Sequence, residues 1–304
     1  SNIDDVFTGL NEGEQTNTRR LRRKTSAVGL ERPPSQTSVA GAREPMLERQ
    51  VTYGYKHPFR TRCRATGTAL QGLPQLFQEI LSPTTEDIDI VNTEFVLVDG
   101  LIAKLEVQDR DVWQPCIDII KEVACNRDLV CLSKLNRAVS IGKELLIKTF
   151  NGQKPSQQDS APDSFLKKVH AAGQFYRLLV ASILPSDVVH DMNAVKTSDW
   201  LEGSCAAHMW FAIEDHLMCT WINSITPTNP VHLSHHYDGL RLDLATIKAY
   251  RPNGDNVALT DESQTDVQLF MRRSEQLILD KTGFKIELKK KVHKCLVELL
   301  DTHP

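Results

Sequence analysis

The sequence predicts an α+β fold, and three observations carry that prediction. Strand-like runs fall at 87–92, around 229–244 and at 284–291, and long blocks with helical spacing separate them. A regular strand–helix–strand alternation is absent. So are the Gly-x-Gly-x-x-Gly fingerprint and the Gly-Lys-Ser/Thr phosphate loop, which weakens dinucleotide and P-loop readings. A length of 304 residues, 40% hydrophobic and 25% charged, suits one large or two modest globular domains.

Residues 1–50 read as a disordered basic and polar tail, rich in Ser, Thr, Gln, Gly, Pro and charge, with few large apolar residues to bury. Within it, Arg19–Lys24 (RRLRRK) followed by Thr25-Ser26 fits a nuclear address, a phosphate-binding arm, a kinase site or a plain solvated run. An ordered core is expected from 51 to 304. It opens with YKHPFRTRCRA, where Lys56, Arg60, Arg62 and Arg64 cluster and alternation sets the three arginines on one side of an extended segment. LQGLPQLFQEILS reads as a short helix with Leu73, Leu76, Phe77, Ile80 and Leu81 facing inward. DIDIVN reads as a strand and TEFVLVDGLIAKLEV as a helix blemished by Gly100. A helix-rich middle spans about 111–150, a loop full of breakers follows at 151–164, and helices are expected at 165–183 and 202–224. A hairpin at 229–243, a helix around 262–281 stopping at Thr282-Gly283, and the strand FKIELKKK complete the chain.

The net charge of −3 supplies no global attraction to nucleic acid, so any such binding relies on local basic patches. Seven cysteines without a Cys-x-x-Cys pair point to an intracellular, reducing compartment rather than a disulfide framework. No apolar run reaches membrane-spanning length, and no membrane partner is expected.

Two carboxylate positions stand out. Asp87 and Asp89 share one side of a strand whose other side is Ile88 and Ile90, and a carboxylate there needs a cation or strong donors. Asp238 sits where the hairpin strands meet, followed by Gly239. Asp-Gly is also a preferred turn pair, and either aspartate alone fits a cap or turn. Together they fit a divalent metal, with Mg²⁺ favoured because it needs few carboxylates and takes further ligands from water and phosphate. Two such ions clamp the attacking and leaving oxygens of phosphoryl transfer. A third piece is RAVSIGKELLIKTFNG, which places Arg137, Lys143 and Lys148 on or near one helix. These cations suit a triphosphate, or simply a solvated helix face.

Other groupings carry less. His232 and His236 share a strand face while His235 points away, which makes a three-histidine site awkward. Cys205, His208, His216 and Cys219 mimic a zinc pattern, but on one helix the two pairs lie about 16 Å apart. They are expected on a packed face with Trp210, Ile213, Leu217 and Trp221, with Glu202 and Glu214 solvated, capping or ion-paired.

In order, LQGLPQLFQEIL…DIDIVNTEF, the Lys143 helix with Gly152 after it, and GSCAAHMWFAIEDHLMCTWINSI before LSHHYDGLRLD resemble the core of family A DNA polymerases. The likeness is to the divergent form of viral and mobile-element replication proteins and covers roughly 55–291. It implies a palm sheet with a helical fingers region at about 111–183, and template-dependent nucleotidyl transfer onto a primer. Asp89 and Asp238 would hold two Mg²⁺ ions, with Asp87 the fallback, and Lys143 would neutralise the nucleoside triphosphate, aided by Arg137 or Lys148. Lys56, Arg60, Arg62, Arg64 and the lysines at 285–291 would contact a DNA or RNA template or primer. Three departures stand out: Val139 occupies the place of an arginine, Asn151 that of a tyrosine and Gly239 that of a second acid. They leave a second reading open, a non-catalytic nucleic-acid-binding or scaffold protein of polymerase-like shape. A third is a helical interaction protein.

Overall fold

The computed structural model describes residues 52–54, 64–66, 77–78, 82, 84–156, 164–195, 201–230, 232–236, 238–251 and 265–291. The expected tail, Lys56, Arg60, Arg62 and most of LQGLPQLFQEILS lie outside these residues. Arg64 opens β2 (Arg64–Thr66), which pairs antiparallel with β1 (Thr52–Gly54).

The fold is mixed α+β, mostly helical, around one small antiparallel sheet. In chain order its elements are β3 (Thr85–Ile90), α1 (Thr93–Lys104), α2 (Arg110–Ser133), α3 (Val139–Phe150), α4 (Phe165–Ile183), α5 (Ser186–Val195) and α6 (Leu201–Ile225). A 3₁₀ turn at Thr226–Thr228 leads to β4 (Leu233–His236), β5 (Gly239–Asp243), α7 (Leu244–Ala249), α8 (Asp266–Thr282) and β6 (Leu288–Lys290). The sheet order is β4-β5-β3-β6. Among the described residues no helix is long and apolar enough to cross a membrane.

Register explains the two faces of the sheet. Ile88 pairs with Leu240 and Lys290, Ile90 with Leu288, and Leu233 with Leu242. Ile88, Ile90, Leu240, Leu242 and Leu288 are all buried and join the helical core around Phe95, Trp221, Phe270 and Ile278. Since alternate residues face opposite ways, Asp87, Asp89 and Arg241 are forced onto the other face. That face is shielded too, for Asp87 and Arg241 are both buried.

The central helix α6 packs against α1, α4, α5 and α8. Cys205, Met209, Ile213, Leu217, Trp221 and Ile225 recur every fourth residue and are all buried. The continuous helix keeps the Cys/His pairs apart as expected, but His216 and Cys219 are exposed rather than packed. They fall off the every-fourth-residue stripe, which corrects that expectation. Glu214, read from the sequence as solvated, capping or ion-paired, is only 2% exposed and so not solvated, because neighbours on several sides bury more than one stripe of α6.

Three further expectations change. Gly100 is no blemish: a Cβ there would lie 2.7 Å from the Phe284 ring, so its absence lets the segment before β6 lie against α1. Phe77, expected to face inward, is 52% exposed, while the backbone of the next residue, Gln78, turns toward the sheet and accepts from Arg241. The helix expected from 262 begins at Asp266, because Thr265 and Gln268 form a reciprocal capping box. Its end at Gly283, with φ 69°, matches the sequence reading.

Burial pushes the pKa of Asp215 on α6 up to about 6. An acid raised in the folded state contributes stability below its unfolded pKa, and that stability is lost as pH rises through the folded value. Asp215→Asn is therefore expected to stabilise the protein by about 1–3 kcal/mol at pH 7.5 and negligibly at pH 4. Urea titrations at the two pH values check it, and equal effects at both refute it.

Candidate functional site

The site lies where β3 ends and α1 begins. Asp89 pairs with Gly239, the residue directly after Asp238, so the register delivers both acids to one end of the sheet. The amide of Ile90 donates to the Asp238 carbonyl at 2.9 Å, which fixes the hairpin against β3. At the start of α1, Thr93 Oγ1 donates to Asp238 Oδ2 at 2.7 Å. The positive end of the helix favours that carboxylate.

Gly239 explains itself in this geometry. A Cβ there would lie 1.9 Å from Asp89 Oδ1 and 2.7 Å from the Ile88 carbonyl oxygen. The Asp89 carboxylate fills the space that any side chain at 239 would need. Gly239 pairs with His236, so it belongs to the strand rather than to the turn. Asp-Gly is thus not the two-residue turn of the hairpin.

The strand face around Asp89 is a row of paired charges. Arg241, opposite Asp87, donates from Nη2 to Asp87 Oδ2 at 3.2 Å and from Nη1 to the Gln78 carbonyl at 3.1 Å. Lys291, just past β6, is anchored by its amide to the Asp87 carbonyl at 2.8 Å. Its Nζ reaches Asp89 Oδ2 at 2.5 Å and lies 3.7 Å from Asp87 Oδ2. Burial raises the Asp89 pKa to about 6; Asp238 and Asp87 push the same way, and the Lys291 hydrogen bond and charge oppose them. Burial works against the Lys291 ammonium, yet Asp89, Asp87 and Asp238 together hold its pKa above the ordinary value. His236, whose Nε2 is 3.0 Å from Ser234 Oγ, has its pKa pushed down to about 4, chiefly by burial, and is neutral at physiological pH.

The rim of the site comes from the helices. Asn92 holds the left-handed conformation at φ 52°, which Asn tolerates, at the chain reversal into α1. Its side chain donates to the Val123 carbonyl at 2.7 Å and accepts from Arg127 Nη1 at 3.1 Å. Arg127 follows a break in α2 at Asn126 (φ −155°, ψ 64°), which aims it back toward β3. Asn151, just past α3, donates to Glu94 Oε1 at 2.8 Å. That bond ties the end of the lysine-bearing helix to the first turn of α1.

Of the residues singled out in the sequence, Asp87, Asp89 and Asp238 come together. Lys143 is exposed on α3, eight residues before Asn151 and so about 12 Å along the helix axis. Arg137 is exposed before α3, and Lys148 pairs on the surface with Glu144 at 2.5 Å. The lysines after α8 divide their tasks: Lys285 and Lys289 are exposed, Lys290 pairs with Glu86 at 2.7 Å, and Lys291 turns to the carboxylates. This corrects the expectation that the whole run faces a template. Sequence reasoning missed Arg241, Thr93, Glu94 and Arg127, and met Asn151 only as the residue in a tyrosine's place. A signal existed for Arg241 alone, a cation alternating with Leu240 and Leu242 and thus sent to the aspartate face.

The donor set fits a hard divalent ion. Asp89 Oδ1 is buried without a hydrogen-bond partner among the described residues. The Lys291 ammonium already shows that a cation is drawn to the same carboxylate. Among the described residues no three of His, Cys, Asp or Glu gather as a chelating cluster. Two carboxylates therefore suit an ion that keeps water and phosphate ligands. Compared with protein families, curated proteins and solved structures, the chain shows no match.

Proposed function

We propose that the protein is a template-dependent nucleotidyltransferase, a DNA polymerase-like core whose β3–β6 sheet serves as the palm. The observation that carries this reading is the meeting of Asp89 and Asp238, remote in sequence, across the Asp89–Gly239 pair. Asp89 and Asp238 would hold Mg²⁺, which supplies charge stabilisation to phosphoryl transfer from a nucleoside triphosphate. Thr93 orients Asp238, and Arg241 holds Asp87 in the row beside it. Lys143, with Arg137 or Lys148, would meet the triphosphate on the α3 side, since Asn151 fastens that helix to the site. Arg64, Lys285 and Lys289 are candidates for the template or primer backbone, with Lys56, Arg60 and Arg62 as sequence-level candidates.

One observation favours the alternative, a non-catalytic nucleic-acid-binding protein of the same shape. The Lys291–Asp89 ion pair satisfies one oxygen of the key carboxylate without any metal. Primer extension separates the two. The wild type is expected to extend a primed template with Mg²⁺ and to stop on chelation, while Asp238→Asn does not extend. Salt-sensitive binding without Mg²⁺-dependent incorporation assigns the protein to the alternative.

A further inference from the structure

We propose that Lys291 is a resident counter-cation of the Asp89–Asp238 site, displaced when a divalent ion enters. The inference rests on the metal-binding reading above and adds how that site is regulated. Its ground is where the ammonium sits and how it is held. Lys291 Nζ takes Asp89 Oδ2 at 2.5 Å and stands 3.7 Å from Asp87, so it occupies one of the oxygens a metal would need. The other oxygen, Oδ1, is buried and has no hydrogen-bond partner among the described residues. Lys291 is the exchangeable member of the row. Its backbone is pinned by the Asp87 carbonyl, but its side chain is 48% exposed. Arg241, by contrast, is 0% exposed and bonded to both Asp87 and Gln78, so it stays.

Charge balance points the same way. Asp87, Asp89 and Asp238 all act on the Lys291 ammonium, and Arg241 pairs with the first of them. With Lys291 in place these five groups are one charge negative. Adding a divalent ion beside Lys291 would leave the buried cluster one charge positive, whereas exchanging the two leaves it neutral. A partly buried cluster favours the neutral arrangement, because uncompensated charge is costly away from water. Lys290 offers no such exchange, since its partner Glu86 belongs to the opposite face of β3.

Two measurements on the full chain test this, with Mn²⁺ as the probe and no nucleotide present. In calorimetry, Lys291→Met is expected to bind Mn²⁺ about two- to fivefold tighter than wild type, the range a partly solvated ion pair can contribute. In the wild type, saturating Mn²⁺ is expected to speed acylation of Lys291 several-fold, read by mass spectrometry, with the solvent-exposed Lys285 unchanged. The acylation arm needs no variant and so does not depend on Lys291→Met folding. Equal or weaker binding by a folded Lys291→Met, or a Lys291 reactivity indifferent to Mn²⁺ in a protein that binds it, overturns the exchange while leaving the metal site standing. Absence of Mn²⁺ binding by wild type and variant alike overturns the metal reading itself, and the exchange with it.

Discussion

Arg241→Met is expected to destabilise the fold by about 3–5 kcal/mol, the range for removing one partner of a buried ion pair. The guanidinium is 0% exposed and holds Asp87 at 3.2 Å across the β5–β3 pair and the Gln78 carbonyl at 3.1 Å. Without it, the ion partner left to Asp87 among the described residues is Lys291 at 3.7 Å, and the part-buried Gln78 carbonyl, which also accepts from the Ser82 amide, loses a donor. The cost arises from the orphaned charge more than from the lost attraction. Asp87→Leu combined with Arg241→Met should therefore recover much of the stability that Arg241→Met alone loses. Urea denaturation of the two single variants and the double variant gives the coupling directly. A loss under about 1 kcal/mol in Arg241→Met would show that the pair does not hold these strands together.

The same pair marks how far the sequence could be read. Alternation is local, so it placed Asp87 and Asp89 on one side of β3 and the leucines of β5 on the other without knowledge of partners. The helices of the middle region were legible because apolar spacing and breakers are local too. Register is not local. That Asp89 would face Gly239 depends on pairing between segments far apart in the chain, and so does the role of Gly239 as space for a carboxylate. Lysine side chains were equally unreadable: in LKKK, Lys289, Lys290 and Lys291 alternate, yet only pairing with β3 reveals that Lys290 meets Glu86 and Lys291 meets Asp89. Gly100 and Phe77 misled for one reason. Whether a small residue is a flaw and whether an aromatic faces inward depend on what packs there, here Phe284 and the Gln78–Arg241 contact.

Asp89→Asn is expected to move stability and chemistry in opposite directions. Burial first, then Asp238 and Asp87, pushes the Asp89 pKa up to about 6 against the pull of Lys291. Between its unfolded value of about 4 and that folded value, the native state binds more protons than the unfolded chain. Stability from this group is therefore full below about pH 4 and lost as pH rises through 6. A neutral asparagine of the same shape avoids that loss, so the variant should be about 1–3 kcal/mol more stable than wild type at pH 7.5 and alike at pH 4. On the nucleotidyl-transfer reading, Mg²⁺-dependent incorporation should fall by about 10³-fold or more, since a metal ligand would supply several kcal/mol of transition-state stabilisation and each 1.36 is tenfold. A structural carboxylate gives the reverse pattern, with lost stability and retained activity. A residue that costs the fold and serves the reaction is one kept for chemistry, and denaturation beside primer extension on the same Asp89→Asn preparation reads both signs. Should it unfold more easily than wild type at pH 7.5, Asp89 belongs to the architecture through Lys291, and the nucleic-acid-binding reading takes precedence.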